Sequence, residues 1–129
     1  MSGVFPEVYL VRHGETEWSA SGRHTGRTDI PLTAAGEAAA RGLAERLKGR
    51  SFSAVWSSPS QRAFNTCALA GFAAVAVKKG DLQEWDYGAY EGLTTKQILA
   101  ERPGWNVFRD GCPGGEMAAD VGWRADAII

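Results

Sequence analysis

The sequence predicts an α/β domain of three layers, α/β/α, around a mostly parallel sheet. Three observations carry that prediction. Short apolar runs without polar alternation, the kind buried on both faces of a sheet, occur at residues 8–11, 54–57 and 73–77. Amphipathic helical stripes separate these runs, and strands alternating with helices imply parallel pairing. The chain is 129 residues long, which suits a single domain over 1–129 that buries roughly two-thirds of its unfolded surface.

The elements follow in order. Val8-Tyr9-Leu10-Val11 forms the first strand and is broken by Arg12-His13-Gly14-Glu15, after which a polar loop runs to Pro31. Thr33 is placed to cap a helix reaching Lys48, with Ala35, Ala39, Leu43 and Leu47 on one stripe and Gly49 as its stop. The second strand, 54–57, ends at Ser58-Pro59, and Ser60 opens a helix through Ala70 that Gly71 closes. The third strand covers 73–77. A loop dense in Trp, Tyr, Gly and acids spans 81–92, and Thr94 with Gln97 has capping-box spacing for a helix that Pro103 ends. A Gly/Pro turn at 111–115 precedes a last helical pattern from Glu116, on which Val121, Ala125 and Ile128 share a face.

Composition narrows the function. With 14 Lys and Arg against 15 Asp and Glu, the net charge is −1, so neither nucleic acid nor an anionic membrane surface is an expected partner. No window approaches the ~18 apolar residues of a membrane span, and residues 1–7 lack the basic and apolar regions of a secretory leader. Cys67 and Cys112 make neither a disulfide framework nor a metal quartet. These readings point to a cytoplasmic protein, and any anion site must be local.

Several residues carry chemistry. Arg12, His13 and Gly14 stand where the first strand meets its loop, and ligand sites in open α/β sheets gather at the carboxyl ends of strands. A neighbouring cation disfavours an imidazolium, so Arg12 favours a neutral, nucleophilic His13. Arg62 sits near the start of the helix after the second strand, and parallel strands bring it to the edge that Arg12 occupies. Two guanidiniums of fork geometry beside a nucleophile point to phosphate. Glu84, after the third strand, reaches the same edge among Leu82, Trp85, Tyr87 and Tyr90; apolar neighbours favour a protonated carboxyl, which suits a general acid. Tyr87, Trp85, Tyr90 and Trp105 form the expected aromatic wall of the pocket.

Leu10 to Ser19 with Arg23-His24-Thr25-Gly26 closely resembles the opening of the histidine phosphatase superfamily, the phosphoglycerate mutase-like proteins. The resemblance continues through Leu32 to Gly36, Ser57-Ser58-Pro59 with Arg62-Ala63, Leu82 to Gly88 with Glu91-Gly92, and Gly114-Gly115-Glu116. It is nearest the acid-phosphatase and sugar-bisphosphatase branches and implies a phosphoglycerate mutase-like fold. It also implies that His13 is the phosphohistidine nucleophile, that Arg12 and Arg62 grip phosphate, and that Glu84 serves as acid and then base. Thr25 and Gly26 match the substrate loop. Tyr87 joins the substrate contacts, as does Ser19, which stands where many members carry Asn. The implied substrate is a small phosphorylated metabolite. No metal or other cofactor is expected, because two histidines and scattered acids offer no ligand cluster.

One departure matters. The family carries a second catalytic His on a later strand, whereas this sequence holds only His13 and His24. His24 lies in the substrate loop and is read as a solvated or loop-packing side chain. The expectation is therefore a C-terminally incomplete, truncated domain with unpaired strand edges, or one completed by another chain, and an incomplete sheet favours homo-oligomers. Phosphatase is the leading activity and phosphoglycerate mutase the alternative. A phosphate-ligand binder without turnover is the alternative from another class.

Overall fold

Backbone pairing sets the frame. The computed structural model describes residues 5–129, so the leader reading falls partly on residues 1–4, outside the described residues. Two strands, β1 (Val55–Ser57) and β2 (Ala76–Lys78), run parallel with Val55 opposite Ala76, Trp56 opposite Val77 and Ser57 opposite Lys78. The class is α/β with a parallel sheet, as expected. The third predicted strand forms three residues later than the apolar run indicates, because residues 72–75 complete a turn in which Val75 N–H donates to Phe72 O at 3.1 Å.

Residues 8–11 do not form the expected strand. Val8 is 77% exposed and Leu10 92%. An apolar run gains from a sheet only when its side chains are covered and its backbone paired. Neither condition holds here, and the segment is anchored instead through Tyr9, whose ring meets Phe52 edge-on at 5.1 Å and whose hydroxyl accepts from Arg50 Nη1 at 2.6 Å.

The helices obey their local signals. A short helix α1 (Glu17–Ala20), not foreseen, opens on a reciprocal Thr16–Ser19 capping box. Helix α2 (Ala34–Arg46) starts at Thr33, whose hydroxyl accepts from Gly36 N at 3.1 Å; it stops at Leu47, before Gly49. Helix α3 (Gln61–Cys67) is shorter than predicted and passes into a π-helical turn (Ala68–Phe72) that Gly71 closes at φ +100°. Ser60 stands at the N-cap, but its side chain makes no cap bond; Asp29 Oδ1 does so from another loop, accepting from Gln61 N at 2.9 Å. Helix α4 (Thr95–Glu101) carries the predicted Thr94–Gln97 box and ends before Pro103. Two further helices follow, α5 (Val107–Asp110), capped by Asn106, and α6 (Ala118–Ile128), which starts two residues after the predicted Glu116. α3 packs on β1, and α2 packs on α3 and the π-helical turn. No helix among the described residues is long and apolar enough to cross a membrane.

The hydrophobic core gathers Tyr90, Ile98, Trp105 and Cys112, with Tyr87, Leu93 and Val107 packed against it. This corrects the predicted aromatic wall. Trp85, Tyr90 and Trp105 are buried, and both indoles find backbone acceptors: Trp105 Nε1 donates to Gly111 O at 2.8 Å and Trp85 Nε1 to Glu116 O at 2.9 Å. Large rings with satisfied polar tips contribute more inside the core than along a wet wall. Of the four, only Tyr87 lines the cavity described next.

Candidate active site

The catalytic candidates meet at one cavity of about 670 Å³, lined by Arg12, His13, Arg62 and Glu84 together with Ser19, Thr25 and Tyr87. Gly26 lies behind the wall rather than in it.

His13 is half-buried, and its Nδ1 sits 2.7 Å from Gly14 O. A carbonyl can only accept, so Nδ1 carries the hydrogen and a neutral ring keeps its lone pair on Nε2. The Gly14 backbone sets this geometry. A Cβ there would lie 2.6 Å from Gly36 O, and one on Gly36 would strike Glu15 O, so two glycines allow the His13 loop to rest directly on α2. Gly14 N–H donates to Thr66 Oγ1 at 2.9 Å, and Thr66 donates in turn to Arg62 O at 2.7 Å. The His13 loop is thereby tied to the helix that carries Arg62.

Arg62 is 2% exposed. Its Nη1 donates to Thr28 O at 2.9 Å, and its Nη2 to Gly26 O at 2.8 Å and Thr25 O at 3.4 Å, while Nε is buried without a partner among the described residues. Arg12 is exposed at the cavity mouth. Ser19 lines the cavity, yet its hydroxyl is engaged locally, accepting from Thr16 N at 2.8 Å and donating to Thr16 O at 3.1 Å. Thr25 is half-buried and donates to Arg23 O at 3.2 Å.

Glu84 is exposed, and its Oε1 accepts from Trp85 N at 2.7 Å. The expected apolar surround is absent because the neighbouring rings turn into the core. The loop holding Glu84 is secured by a residue that sequence reasoning missed. Arg124 on α6 donates to Gln83 O at 2.5 Å and forms a two-point pair with Glu116, at 3.0 Å to Oε2 and 2.7 Å to Oε1. Glu116 also accepts from Asp86 N at 2.8 Å. Burial opposes ionisation of Glu116, but the bonds from Arg124 and Asp86 outweigh it and hold its carboxyl below the ordinary value. An arginine on a helical face opposite an acid-rich loop is the one signal of this pair that the sequence offers.

Tyr87 faces His24 edge-on at 4.9 Å and stacks near Trp85 at 6.5 Å. Burial, reinforced by Glu84, pushes its phenol up to about 12. His24 also lines the cavity; its Nδ1 lies 2.8 Å from Leu93 O, and its ring meets Trp105 edge-on at 5.7 Å. That is the loop-packing role read from the sequence. Among the described residues no three His, Cys, Asp or Glu side chains converge as a metal site.

The family model of the histidine phosphatase superfamily (branch 1) matches residues 8–129. The chain belongs to that superfamily. It is 48% identical over 125 residues to an acid phosphatase of Mycobacterium tuberculosis, covering 95% of this chain and 61% of that one. It is 36% identical over 153 residues to the sedoheptulose 1,7-bisphosphatase of Saccharomyces cerevisiae, covering 100% and 56%. The solved structure of the Mycobacterium tuberculosis open reading frame Rv3214 superposes with a TM-score of 0.82 at 45% identity, over 90% of this chain and 61% of that one. A phosphoglycerate mutase from Thermus thermophilus gives 0.71 at 37% identity, over 91% and 67%. The chain spans about 60% of the length of these curated relatives.

Proposed function

We propose that this chain carries the catalytic half-site of a metal-independent phosphomonoesterase working through phosphohistidine on His13. The observation that carries the reading is the convergence of Arg12, His13, Arg62 and Glu84 on one cavity. His13 Nε2 attacks phosphorus, forming a P–N bond as the P–O ester bond breaks. Glu84 gives its proton to the departing alkoxide and then takes one from water. That water attacks the phosphohistidine, the P–N bond breaks, and inorganic phosphate leaves. Arg12 and Arg62 neutralise the equatorial oxygens, the main demand of phosphoryl transfer. Substrates are small phosphorylated metabolites, and Thr25, Tyr87 and Ser19 bound the space for the leaving group, with Gly26 shaping the loop behind them. A reducing cytoplasmic setting accords with the free thiols of Cys67 and Cys112.

Phosphoglycerate mutase is the second reading, favoured by the Thermus likeness and by 36% identity to a probable phosphoglycerate mutase, GpmB, of Salmonella choleraesuis. Against it, Arg102 and Arg109 are both paired with Asp110, at 3.8 and 2.9 Å, and neither lines the cavity. The test is phosphate release from p-nitrophenyl phosphate by this chain, with EDTA present and beside His13→Ala. Turnover that persists in EDTA and falls at least about 10³-fold in His13→Ala supports the proposal. Interconversion of 3- and 2-phosphoglycerate primed by 2,3-bisphosphoglycerate supports the mutase. Thermal protection by phosphate without turnover marks a binder, and turnover abolished by EDTA refutes the metal-independent mechanism.

A further inference from the structure

We propose that Glu91 is a positioning residue for Arg62, acting through the backbone of residues 25–28. Its significance for ligand binding rests on the phosphate reading above. Glu91 Oε1 accepts from Gly26 N at 3.0 Å, Thr28 N at 3.0 Å and Thr28 Oγ1 at 2.7 Å, and Oε2 accepts from Tyr87 N at 3.0 Å. The carbonyls of the same short segment, Thr25, Gly26 and Thr28, hold the Arg62 guanidinium. The Thr25–Gly26 peptide unit is bonded at both ends, its N–H to Glu91 and its C=O to Arg62. A carboxylate and a guanidinium thus face each other across one strip of backbone and polarise it in the same sense.

Two further observations fit this arrangement. Among the described residues no carboxylate forms an ion pair with Arg62 directly, so its charge is answered one peptide away. At Gly26, a Cβ would collide with Trp85 O and Glu91 Oε2, so the carboxylate reaches the strip only because no side chain stands there. Burial opposes ionisation of Glu91, yet its bonds from Thr28, Gly26 and Tyr87 prevail and keep its carboxyl below the usual value. The outcome is a guanidinium fixed through Nη1 and Nη2 on a residue that lines the cavity.

The experiment uses the 129-residue chain and its Glu91→Gln, Glu91→Ala and Thr28→Val variants. Hydrogen exchange of the Arg62 Nε–H, assigned by its loss in Arg62→Lys, is read by ¹⁵N–¹H spectroscopy, and inorganic phosphate binding is read by calorimetry. Glu91→Gln keeps the shape and removes the charge; it is expected to speed Nε–H exchange and weaken phosphate binding, each about tenfold. Thr28→Val loses one bond and shifts both readouts less, in the same direction. A merely structural Glu91 would lower the melting temperature and leave Arg62 Nε–H exchange unchanged. A folded Glu91→Gln with wild-type exchange overturns the proposal, and wild-type exchange in Thr28→Val overturns it equally if the Glu91 variants fail to fold. Absence of phosphate binding in the wild type sinks the phosphate reading, while the exchange data still decide the positioning role.

Discussion

Thr66→Val isolates the link between the His13 loop and the helix that carries Arg62. Thr66 is 3% exposed, and its hydroxyl receives Gly14 N–H at 2.9 Å while donating to Arg62 O at 2.7 Å. Valine fills the same space without the hydroxyl. The orphaned Gly14 N–H costs about 1–3 kcal/mol and the lost bond to Arg62 O about 0.5–1.5 kcal/mol. Part of this is recovered because a methyl desolvates easily, leaving a loss of about 2 kcal/mol. In a chain of this size that lowers Tm by roughly 8 °C. Thr66→Ser keeps both bonds and drops one methyl, costing about 1 kcal/mol. Thermal and urea unfolding of both variants give stability, and p-nitrophenyl phosphate turnover gives function. Valine should slow turnover by about tenfold or more, because small displacements of a positioned nucleophile are costly, whereas serine should keep most of it. Valine as stable as wild type within about 0.5 kcal/mol, or serine the less stable of the two, would refute the reasoning.

Three further outcomes follow from the same contacts. Gly36→Ala drives a methyl into Glu15 O and should destabilise the chain by about 2–3 kcal/mol, whereas Gly42→Ala on the same helix, where a Cβ meets nothing, should be neutral or stabilising in a denaturant titration. Arg124→Met should lower kcat more than KM by freeing the Glu84 loop. Because the Glu116 carboxyl is held below its ordinary value, its contribution to stability is present above the normal glutamate range and lost as pH falls through the folded value; the Tm gap between wild type and Arg124→Met should therefore close in acid, and a pH-independent gap would count against the pair. Tyr87 is raised to about 12, so its contribution is complete below the unfolded tyrosine value near 10 and disappears as pH climbs from there through 12. The phenolate absorbance difference between wild type and Tyr87→Phe should titrate near the upper end of that window, and a difference titrating at the ordinary tyrosine value would contradict the burial.

What the sequence discloses and what it hides divide along a physical line. Thr33, the Thr94–Gln97 box and Pro103 are legible because their partners lie within a turn of helix, where residue type alone fixes the bond. Arg62 and Glu84 reach the cavity from positions that follow the two parallel strands β1 and β2, whereas His13 lines it although the strand predicted before it does not form. The strand at 8–11 is misread because hydrophobicity records an appetite for burial, not the neighbour that satisfies it. The surroundings of Glu84 are misread for a related reason. Aromatic neighbours in sequence are compatible with a cavity wall or a core, and the choice falls to acceptors such as Gly111 O and Glu116 O, which residue type does not announce. Glu91 is the extreme case. Its partners include the N–H groups of Gly26, Thr28 and Tyr87, and since every residue but proline offers that donor, no pattern of residue types marks them. What can be read is indirect: a glycine at 26 beside a threonine at 25, in a loop with no conformational need for one, since Gly26 is not among the glycines of positive φ. A glycine whose φ is ordinary records that something must come close, and here the approaching groups are Trp85 O and the Glu91 carboxylate whose charge answers Arg62 across the backbone.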